Sequence, residues 1–276
     1  MTDETNVTSE RSDDAGTNRN GLLECRDVKL NFGGVVALNG VDFCVEPGEM
    51  VGIIGPNGSG KTSLVNVVSG YYHPTSGSIT FAGEDLSRCR PQHARQLGIS
   101  RVFQNLRLYP EMTVLENLEL AMADDLSTSW GVARATLGAL FWRRQARIRR
   151  DVRERSAILL RENGFGALLN FRVGSMSYGQ RKELELLRSV ANPPKLLLLD
   201  EPTAGVSMGV ATEVKSRILS YREQFGCGIV VVEHRLGWLF DLVDRVVVLS
   251  GGQVIANGSP ADVAADVEVR KAYVGA

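Results

Sequence analysis

The strongest chemical pattern in the sequence is the glycine-rich stretch GPNGSGKT at residues 55–62. It follows the apolar run Met50–Ile54 and precedes residues 62–69, which can form a helix. Glycine allows backbone N–H groups to turn toward a phosphate, and the N-terminus of a helix adds partial positive charge. A strand, this loop and a helix in succession therefore predict a phosphate-binding loop. We expect it to contact a nucleotide through Gly55, Pro56, Asn57, Gly58, Ser59, Gly60, Lys61, Thr62 and Ser63.

Two side chains of this loop have specific expected roles. The ammonium group of Lys61 would lie near the β- and γ-phosphates, and the hydroxyl group of Thr62 would bind Mg²⁺ beside them. The alternative is a glycine-rich turn between a strand and a helix that binds no ligand. We favour the phosphate loop because every fixed position of the pattern is matched and both flanking segments are correct.

A second chemical pattern is a pair of acids, Asp200 and Glu201, directly after the four leucines 196–199. Ligands of open α/β sheets bind at the carboxyl ends of the parallel strands. We expect Asp200 to hold Mg²⁺ and Glu201 to accept the proton of an attacking water molecule. Many strands end in exposed acids, so this prediction depends on the phosphate loop being present.

Composition limits the classes of function. The 276-residue chain is 43% apolar and 23% charged, which is ordinary for a globular protein with one large domain or two small ones. No run approaches the roughly 18 to 20 apolar residues that a membrane-spanning helix needs. A formal net charge of −1 gives no overall attraction to nucleic acid, so nucleic acid is not an expected partner.

The four cysteines and the N-terminal segment indicate the compartment. The cysteines are scattered, without a C-x-x-C pair, which favours a reducing compartment and argues against disulfides or a zinc site. With no signal peptide recognised, the expected location is the cytoplasm. Residues 1–20 are almost wholly polar and are predicted to be a disordered tail.

The predicted secondary structure changes along the chain. The first third is predicted to be rich in strands, at 22–32, 41–45, 50–54 and 77–83, with a turn at residues 39–40. Residues 91–188 show a helical pattern, which includes a helix over 113–123 capped by Thr113 and Glu116. Strands at 195–200, 228–233 and 245–249 then alternate with helices at 210–225 and 236–243. This alternation predicts an α/β fold with parallel strands covered by helices.

One segment, residues 129–156, has an unusual composition. Several large apolar residues are followed by seven arginines between Arg143 and Arg155. The segment could form an amphipathic contact with a membrane surface or a partner. We favour the solvated face of a helix, because Asp151 and Glu154 can pair with arginines three or four residues away.

Four further motifs occur in a characteristic order. MSYGQ at residues 176–180 resembles the LSGGQ signature of the ATP-binding subunits of ABC transporters, with Met for Leu and Tyr for the first Gly. Gln104 matches the glutamine of that family's Q-loop, His234 its switch histidine, and Phe32 its adenine-stacking aromatic. Motifs in the family's order span about residues 22–260. Residues 101–117, the signature and the C-terminal end most resemble the importers of branched-chain and other hydrophobic amino acids, urea or amides.

The resemblance implies a fold and a set of roles. The fold would be a P-loop NTPase core of ABC type at residues 21–260, with an antiparallel β-subdomain, an inserted helical subdomain at 106–171 and a C-terminal extension at 261–276. ATP and Mg²⁺ would be the bound groups. Catalytic roles would belong to Glu201, His234 and Gln104, and metal contacts to Thr62, Gln104 and Asp200. Nucleotide contacts beyond the phosphate loop would come from Phe32, Ser177, Tyr178, Gly179 and Gln180.

The same resemblance implies partners. The phosphate loop of one ATP-binding subunit and the signature of another close on one ATP, so a second such subunit is expected, here a nonidentical sister. Two membrane-spanning permease subunits and an external solute-binding protein would complete an importer. The chain would be peripheral, at the cytoplasmic face of the inner membrane.

Two positions depart from the family pattern. The loop after the acidic strand usually carries Asp where this chain has Ser207, which puts communication between the two ATP sites in doubt. Arg235 follows His234 where Asp is usual, which is the lesser change.

Three alternative functions have different requirements. A non-transport ATPase acting on ribosomes or DNA usually has tandem cassettes or a long coiled-coil insertion, and neither is visible. The ATPase of an exporter would need no external binding protein. A regulatory module would bind ATP without hydrolysis, and the intact Lys61, Asp200, Glu201 and His234 argue against it.

Overall fold

A computed structural model describes residues 21–123 and 138–274 of the chain, with side chains from 21 to 123 and from 146 to 272. The predicted tail at 1–20 and part of the arginine-rich segment lie outside the described residues. The strands are β1 (Leu23–Phe32), β2 (Val35–Val45), β3 (Met50–Ile54), β4 (Ser76–Phe81), β5 (Glu84–Asp85), β6 (Ile99–Val102), β7 (Leu196–Asp200), β8 (Gly228–Val232), β9 (Arg245–Ser250) and β10 (Gln253–Gly258). The α-helices are α1 (Lys61–Val68), α2 (Pro91–Leu97), α3 (Val114–Ala123), α4 (Gly138–Glu162), α5 (Tyr178–Ser189), α6 (Met208–Phe225), α7 (Leu236–Phe240), α8 (Pro260–Ala265) and α9 (Val267–Val274).

The central sheet has six strands in the order β10-β9-β3-β8-β7-β6. Its strands are parallel except β10, which is antiparallel to β9. Every residue of β3, β7 and β8 is buried, as expected for parallel strands that are covered on both faces. The predicted alternation of parallel strands and helices is therefore confirmed.

Alternate residues of the central strands enter two separate hydrophobic cores. On one face, Met50 of β3 and Leu197 of β7 pack with residues of α3, α4, α5 and α6. On the other face, Val51 and Leu196 pack with α1 and with the second sheet, which has the order β2-β1-β4-β5. The two layers hold the central sheet between them, so the loops at its carboxyl edge start from a rigid base.

The prediction of a turn at residues 39–40 was wrong. β2 runs without interruption from Val35 to Val45 and pairs with β1 along its length. Val41 lies opposite Val28 while Asn39 lies opposite Lys29, so Gly40, with φ +75°, is an extra residue in the strand. The glycine signal marks a β-bulge, which also needs a residue that tolerates positive φ.

Three strands lie where the sequence predicted none, and one of them, β5, has only two residues. β6 interrupts the segment 91–188, which was predicted to be helical, and β10 follows β9 as an antiparallel edge strand. β6 has only four residues, which is too short for a periodic pattern to distinguish it from its helical neighbours. This strand matters because its carboxyl end leads directly to Gln104.

The predicted cap of α3 is confirmed. The N–H and hydroxyl groups of Thr113 donate to Glu116 Oε2 at 2.8 and 2.9 Å, and the Glu116 N–H donates to Thr113 Oγ1 at 3.2 Å. In α4, Arg155 Nε lies 3.6 Å from Asp151 Oδ2, which is one of the pairs expected for a solvated face. Among the helices of the described ranges, none is long and apolar enough to cross a membrane.

Candidate functional site

The carboxyl ends of four neighbouring strands form the candidate site. In the sheet order β3-β8-β7-β6, these ends lead to the phosphate loop, to His234, to Asp200 and Glu201, and to Gln104. Parallel strands end at the same edge of a sheet, so residues that are far apart in the sequence meet there. The structure thus brings together the predicted catalytic residues, the phosphate loop and Asp200.

The phosphate loop needs glycine at specific positions. A Cβ atom on Gly55 would lie 2.1 Å from the carbonyl oxygen of Leu249, and one on Gly60 would lie 2.7 Å from that of Ala37. Gly58 has open space around it but a φ of +77°, which side chains disfavour. The backbone is therefore packed closely at Gly55 and Gly60, and the space around Gly58 is open.

The charge in this loop comes from Lys61, which is the first residue of α1 and is only 7% exposed. Its Nζ donates to the carbonyl oxygens of Gly55 and Pro56 at 2.8 and 2.9 Å. Burial lowers the pKa of Lys61, while the negative charges of Glu201 and Asp200 act in the opposite direction. The ammonium group is held inside the curve of the loop, close to the acids of β7.

Two features of the loop fit a phosphate group. The Leu64 N–H donates to the Gly60 carbonyl at 2.9 Å, so the N–H groups of residues 61–63 precede the first intrahelical bond of α1. The Ser59 hydroxyl is buried and has no hydrogen-bond partner within the described part of the chain. A cradle of unbonded donors next to an ammonium group is suited to an anion with several oxygens.

Glu201 lies at the centre of the site. Its carboxylate accepts a hydrogen bond from Gln104 Nε2 at 2.7 Å and lies 3.1 Å from His234 Nε2. The residue has a φ of +49°, and its N–H donates to the Val232 carbonyl of β8 at 2.9 Å. This unusual backbone turns the side chain out of the strand direction, toward the ends of β6 and β8.

The position of His234 depends on Glu233, a buried acid that is only 3% exposed. Glu233 Oε2 accepts from the N–H groups of His234 and Arg235 at 2.8 and 3.3 Å. Its Oε1 accepts from the Thr203 N–H at 2.9 Å and from the Thr203 hydroxyl. Glu233 therefore fixes the loop that carries His234 to the turn that follows Glu201.

Phe32, the predicted adenine-stacking residue, lies at the end of β1 and is 46% exposed. The ring of Tyr72 meets it edge-on, with centroids 5.1 Å apart. An exposed aromatic face that is supported from one side is suited to stacking against a flat base.

The signature residues contact their own helix and the segment that precedes and begins α6. Ser177 and Gln180 form a capping box at the start of α5, with Ser177 Oγ accepting from the Gln180 N–H at 3.2 Å and Gln180 Oε1 accepting from the Ser177 N–H at 3.1 Å. The Tyr178 hydroxyl donates to the Ala204 carbonyl at 3.4 Å, and Gly179 packs against Val210 of α6. As far as the structure describes the chain, none of these contacts involves residues 55–63.

The two departures from the family pattern meet in space. Ser207 caps α6 by accepting from the Val210 N–H at 3.5 Å. Arg235 Nη2 donates to the carbonyl of Val206, the residue before Ser207, at 3.1 Å. The arginine thus connects the segment after β8 to the segment after β7, where the usual aspartates are absent.

The donors for a metal ion are few. In the described ranges, no group of three or more His, Cys, Asp and Glu side chains could hold a metal by itself. Mg²⁺ in nucleotide sites commonly binds one or two carboxylates together with substrate phosphates and water. Asp200, the Thr62 hydroxyl and the free amide oxygen of Gln104 fit that pattern, because Gln104 uses its nitrogen on Glu201.

Sequence reasoning missed two residues of the site. Arg101 forms a buried ion pair with Asp200, and Glu233 anchors His234. Arg101 lies on a short strand and Glu233 directly follows one. A charged residue at such a position is a weak signal of a buried charge that is paired or hydrogen-bonded with another group. The identity of the partner depends on strand order, which a local pattern does not contain.

Comparison with known proteins gives a consistent picture. The family described as ABC transporter matches residues 38–204. The high-affinity branched-chain amino acid transport ATP-binding protein BraF of Pseudomonas aeruginosa is 34% identical over 258 residues, covering 92% of this chain and 98% of BraF. LivG of Escherichia coli, described in the same words, is 33% identical over 254 residues, covering 92% of this chain and 98% of LivG.

Solved structures agree with these relatives. A nucleotide-free ATP-binding cassette from an ABC transporter superposes with a TM-score of 0.79 at 30% identity, covering 93% of this chain and all of that one. An ATP-binding cassette of an ABC transporter in its ADP conformation superposes with a TM-score of 0.78 at 30% identity. The superposition covers 93% of this chain and 99% of that one.

Proposed function

Since the chain belongs to the ABC transporter family and is one of its ATPases, we propose that it powers the import of branched-chain or other hydrophobic amino acids. The observation that carries the proposal is the meeting of Gln104, Glu201 and His234 beside the phosphate loop. Near-complete alignment with BraF and LivG supports the solute class, because those relatives are ATP-binding proteins of branched-chain amino acid transport.

In this proposal the nucleotide lies along the carboxyl edge of the central sheet. Phe32 stacks against the adenine ring, and the N–H groups and Lys61 of the phosphate loop bind the phosphates. Thr62, Asp200 and the amide oxygen of Gln104 hold Mg²⁺. A bound Mg²⁺ neutralises negative charge on the β- and γ-phosphates.

Hydrolysis requires a base and a means of orienting water. We assign the role of base to Glu201. Its carboxylate accepts a proton from the attacking water. The water oxygen bonds to the γ-phosphorus while the bond between that phosphorus and the leaving ADP oxygen breaks. Gln104 and His234 hold this carboxylate from two sides, at 2.7 and 3.1 Å. Both contacts restrict the rotation of the Glu201 side chain, which keeps the accepting oxygen in one place.

A second ATP-binding subunit completes each site in this proposal. Ser177 is exposed and Gly179 is half-buried at the start of α5, and their described contacts are with Gln180 and Val210 and not with residues 55–63. They would serve the ATP bound to the partner. We assign the partner to a nonidentical sister subunit, following the family resemblance.

A groove supports docking of a permease subunit. It has a volume of about 510 Å³ and lies between α2 and β6 on one side and α3 and α5 on the other, with Arg95, Phe103, Arg107, Glu185 and Asn192 among its lining residues. The groove begins next to Gln104, so a segment seated in it would lie against the loop that contacts Glu201. In this proposal the chain lies at the cytoplasmic face of the inner membrane, and an external solute-binding protein delivers the amino acid.

The proposal predicts a marked difference between the isolated chain and the assembled complex. The isolated chain should be monomeric and hydrolyse ATP slowly at micromolar concentration, because each site lacks the partner's signature. Light scattering and a phosphate-release assay measure the two properties. A stable homodimer that hydrolyses ATP rapidly without permease subunits would contradict the proposal.

The solute class needs a separate test. The complex should be purified from membranes through a tag on this chain, placed in proteoliposomes with its binding protein, and supplied with leucine, isoleucine or valine, with urea as the comparison solute. We expect the branched-chain amino acids to raise ATP hydrolysis and to accumulate in the vesicles. Stimulation by urea alone would overturn the assignment of solute.

A further inference from the structure

Arg101, on β6, joins three elements of the site through its guanidinium group. Nη1 donates to Asn66 Oδ1 and Ser69 Oγ, at the end of α1, at 2.6 and 3.0 Å. Nη2 donates to Asp200 Oδ2 on β7 at 3.1 Å. The side chains of Arg101 and Asp200 are only 7% and 9% exposed, so the pair is shielded from water.

Two aromatic rings cover the guanidinium group. The carbon Cζ of Arg101 lies 4.5 Å from the centroid of the Phe103 ring and 5.6 Å from that of Tyr71. These rings also meet each other edge-on, with centroids 5.7 Å apart. Contacts of arginine with aromatic faces are favourable, and they strengthen when water is excluded.

Burial of the ion pair between Arg101 and Asp200 has an energetic cost. Burying an ion pair removes two charges from water, and apolar residues of similar volume are often equally stabilising. Arg101 Nε is also buried without a hydrogen-bond partner among the described residues. Stability alone therefore does not account for a charged group at this point of β6.

We propose that Arg101 is a positioning residue that fixes the Asp200 carboxylate in the orientation needed for Mg²⁺. The inference depends on the proposed role of Asp200 as a metal contact. With Oδ2 held by Arg101, and Arg101 held by Asn66 and Ser69, the carboxylate cannot rotate freely. Its other oxygen, Oδ1, is then kept available for the metal.

Geometry distinguishes arginine from lysine at this position. The planar guanidinium group serves Asn66, Ser69 and Asp200 from two nitrogens, whereas a lysine ammonium group is a single point on a flexible chain. Arg101→Lys keeps the positive charge near Asp200 and removes only the fixed orientation. A change in metal affinity in this variant therefore does not arise from the loss of charge.

The test measures nucleotide binding as Mg²⁺ is varied. A fluorescent ATP analogue is titrated into the full chain with EDTA and then at increasing Mg²⁺ concentrations. Arg101→Lys should raise the Mg²⁺ concentration at half-maximal effect by about tenfold, the lower end of what outer contacts of metal ligands contribute. Binding in EDTA should stay unchanged. A Mg²⁺ midpoint within twofold of that of the wild type would overturn the proposal.

A matched control separates positioning from general stability. Arg245 forms a comparable pair with Glu49 at 2.7 Å, with side chains 20% and 16% exposed, at the start of β9 on the opposite edge of the sheet. Arg245→Lys should lower the melting temperature and leave the Mg²⁺ midpoint unchanged. An equal shift of the midpoint in both variants would mean that Arg101 acts only through stability and would overturn the proposal.

Two further variants complete the design. If Arg101→Lys does not fold, Asn66→Ala removes the 2.6 Å contact and leaves both charges in place. It should shift the midpoint in the same direction by a smaller amount, and an unchanged midpoint there would overturn the proposal. Asp200→Asn tests the underlying metal role: if it leaves Mg²⁺ dependence unaltered, the proposed function of Asp200 fails, whereas a shift in Asp200→Asn without one in Arg101→Lys refutes only the role of Arg101.

Discussion

Replacement of Lys61 by alanine should weaken MgATP binding by about 10- to 100-fold. Hydrogen bonds to charged groups contribute about 1.5–3 kcal/mol, which corresponds to a change of that size in affinity. Lys61 is only 7% exposed, and its Nζ lies within 2.9 Å of two carbonyl oxygens of the loop. The charge is therefore already positioned for phosphate oxygens. Isothermal titration calorimetry measures the affinity directly.

The control for this variant is Lys271→Ala, which removes the same charge from an exposed pair with Glu268 on α9. It should bind MgATP as the wild type does. The melting temperature of Lys61→Ala should also be recorded, because the carbonyls of Gly55 and Pro56 lose their donor. An affinity for MgATP equal to that of the wild type in Lys61→Ala would refute the assignment of the phosphate loop.

Local patterns predicted the parts of the site that are contiguous in sequence. The phosphate loop, the leucine run before Asp200 and the cap formed by Thr113 and Glu116 each lie within a few residues. Their chemistry is set by neighbours along the chain, such as a glycine that tolerates positive φ or an acid that follows a buried strand. These elements could therefore be placed without knowledge of the sheet.

Contacts between distant segments could not be predicted in this way. Arg101 and Asp200 are 99 positions apart and meet because β6 and β7 are neighbours in the sheet. Nothing in the sequence near either residue indicates that neighbourhood, and β6 itself was hidden in a helical pattern. The sequence likewise predicts Glu233 only as the end of a strand, although its carboxylate connects Thr203 to His234.

The departure at Ser207 illustrates the same limit. From the sequence, the loss of the usual aspartate put communication between the two ATP sites in doubt. The structure shows Arg235, the other departure, donating to the carbonyl next to Ser207. A positive side chain thus lies beside a loop that lacks its usual negative charge, and an acidic residue of the proposed second ATP-binding subunit would be suited to this surface.

Replacement of Glu201 by glutamine should slow hydrolysis by about 10²- to 10⁴-fold, the contribution of a positioned base. The substitution keeps the size of the side chain. The glutamine oxygen can still accept from Gln104 Nε2, which leaves the Gln104 oxygen for Mg²⁺, and the glutamine NH₂ group can donate to an unprotonated His234 Nε2. Lys61, Thr62 and Asp200 are untouched, so MgATP binding should be retained.

Retained binding without hydrolysis has a structural consequence. The variant should accumulate a dimer with ATP held between its phosphate loop and the partner's signature, which gel filtration with MgATP detects. Glu223→Gln is the matched control, since Glu223 is an exposed residue in the last turn of α6, which leads to the amino end of β8. That variant should hydrolyse ATP normally and show no such accumulation.

In the competing hypothesis, His234 positions the water and sets the rate of ATP hydrolysis, and Glu201 only orders the carboxyl end of β7. The 3.1 Å contact between the two side chains means that either could orient the other, so geometry alone does not separate them. Single-turnover rates of Glu201→Gln and His234→Ala in the assembled complex separate the two hypotheses. If Glu201 is the base, its variant is the slower one, because water that has no positioned proton acceptor attacks the γ-phosphorus much more slowly. A Glu201→Gln rate within a few-fold of the wild type, with His234→Ala inactive, would transfer the main role to the histidine.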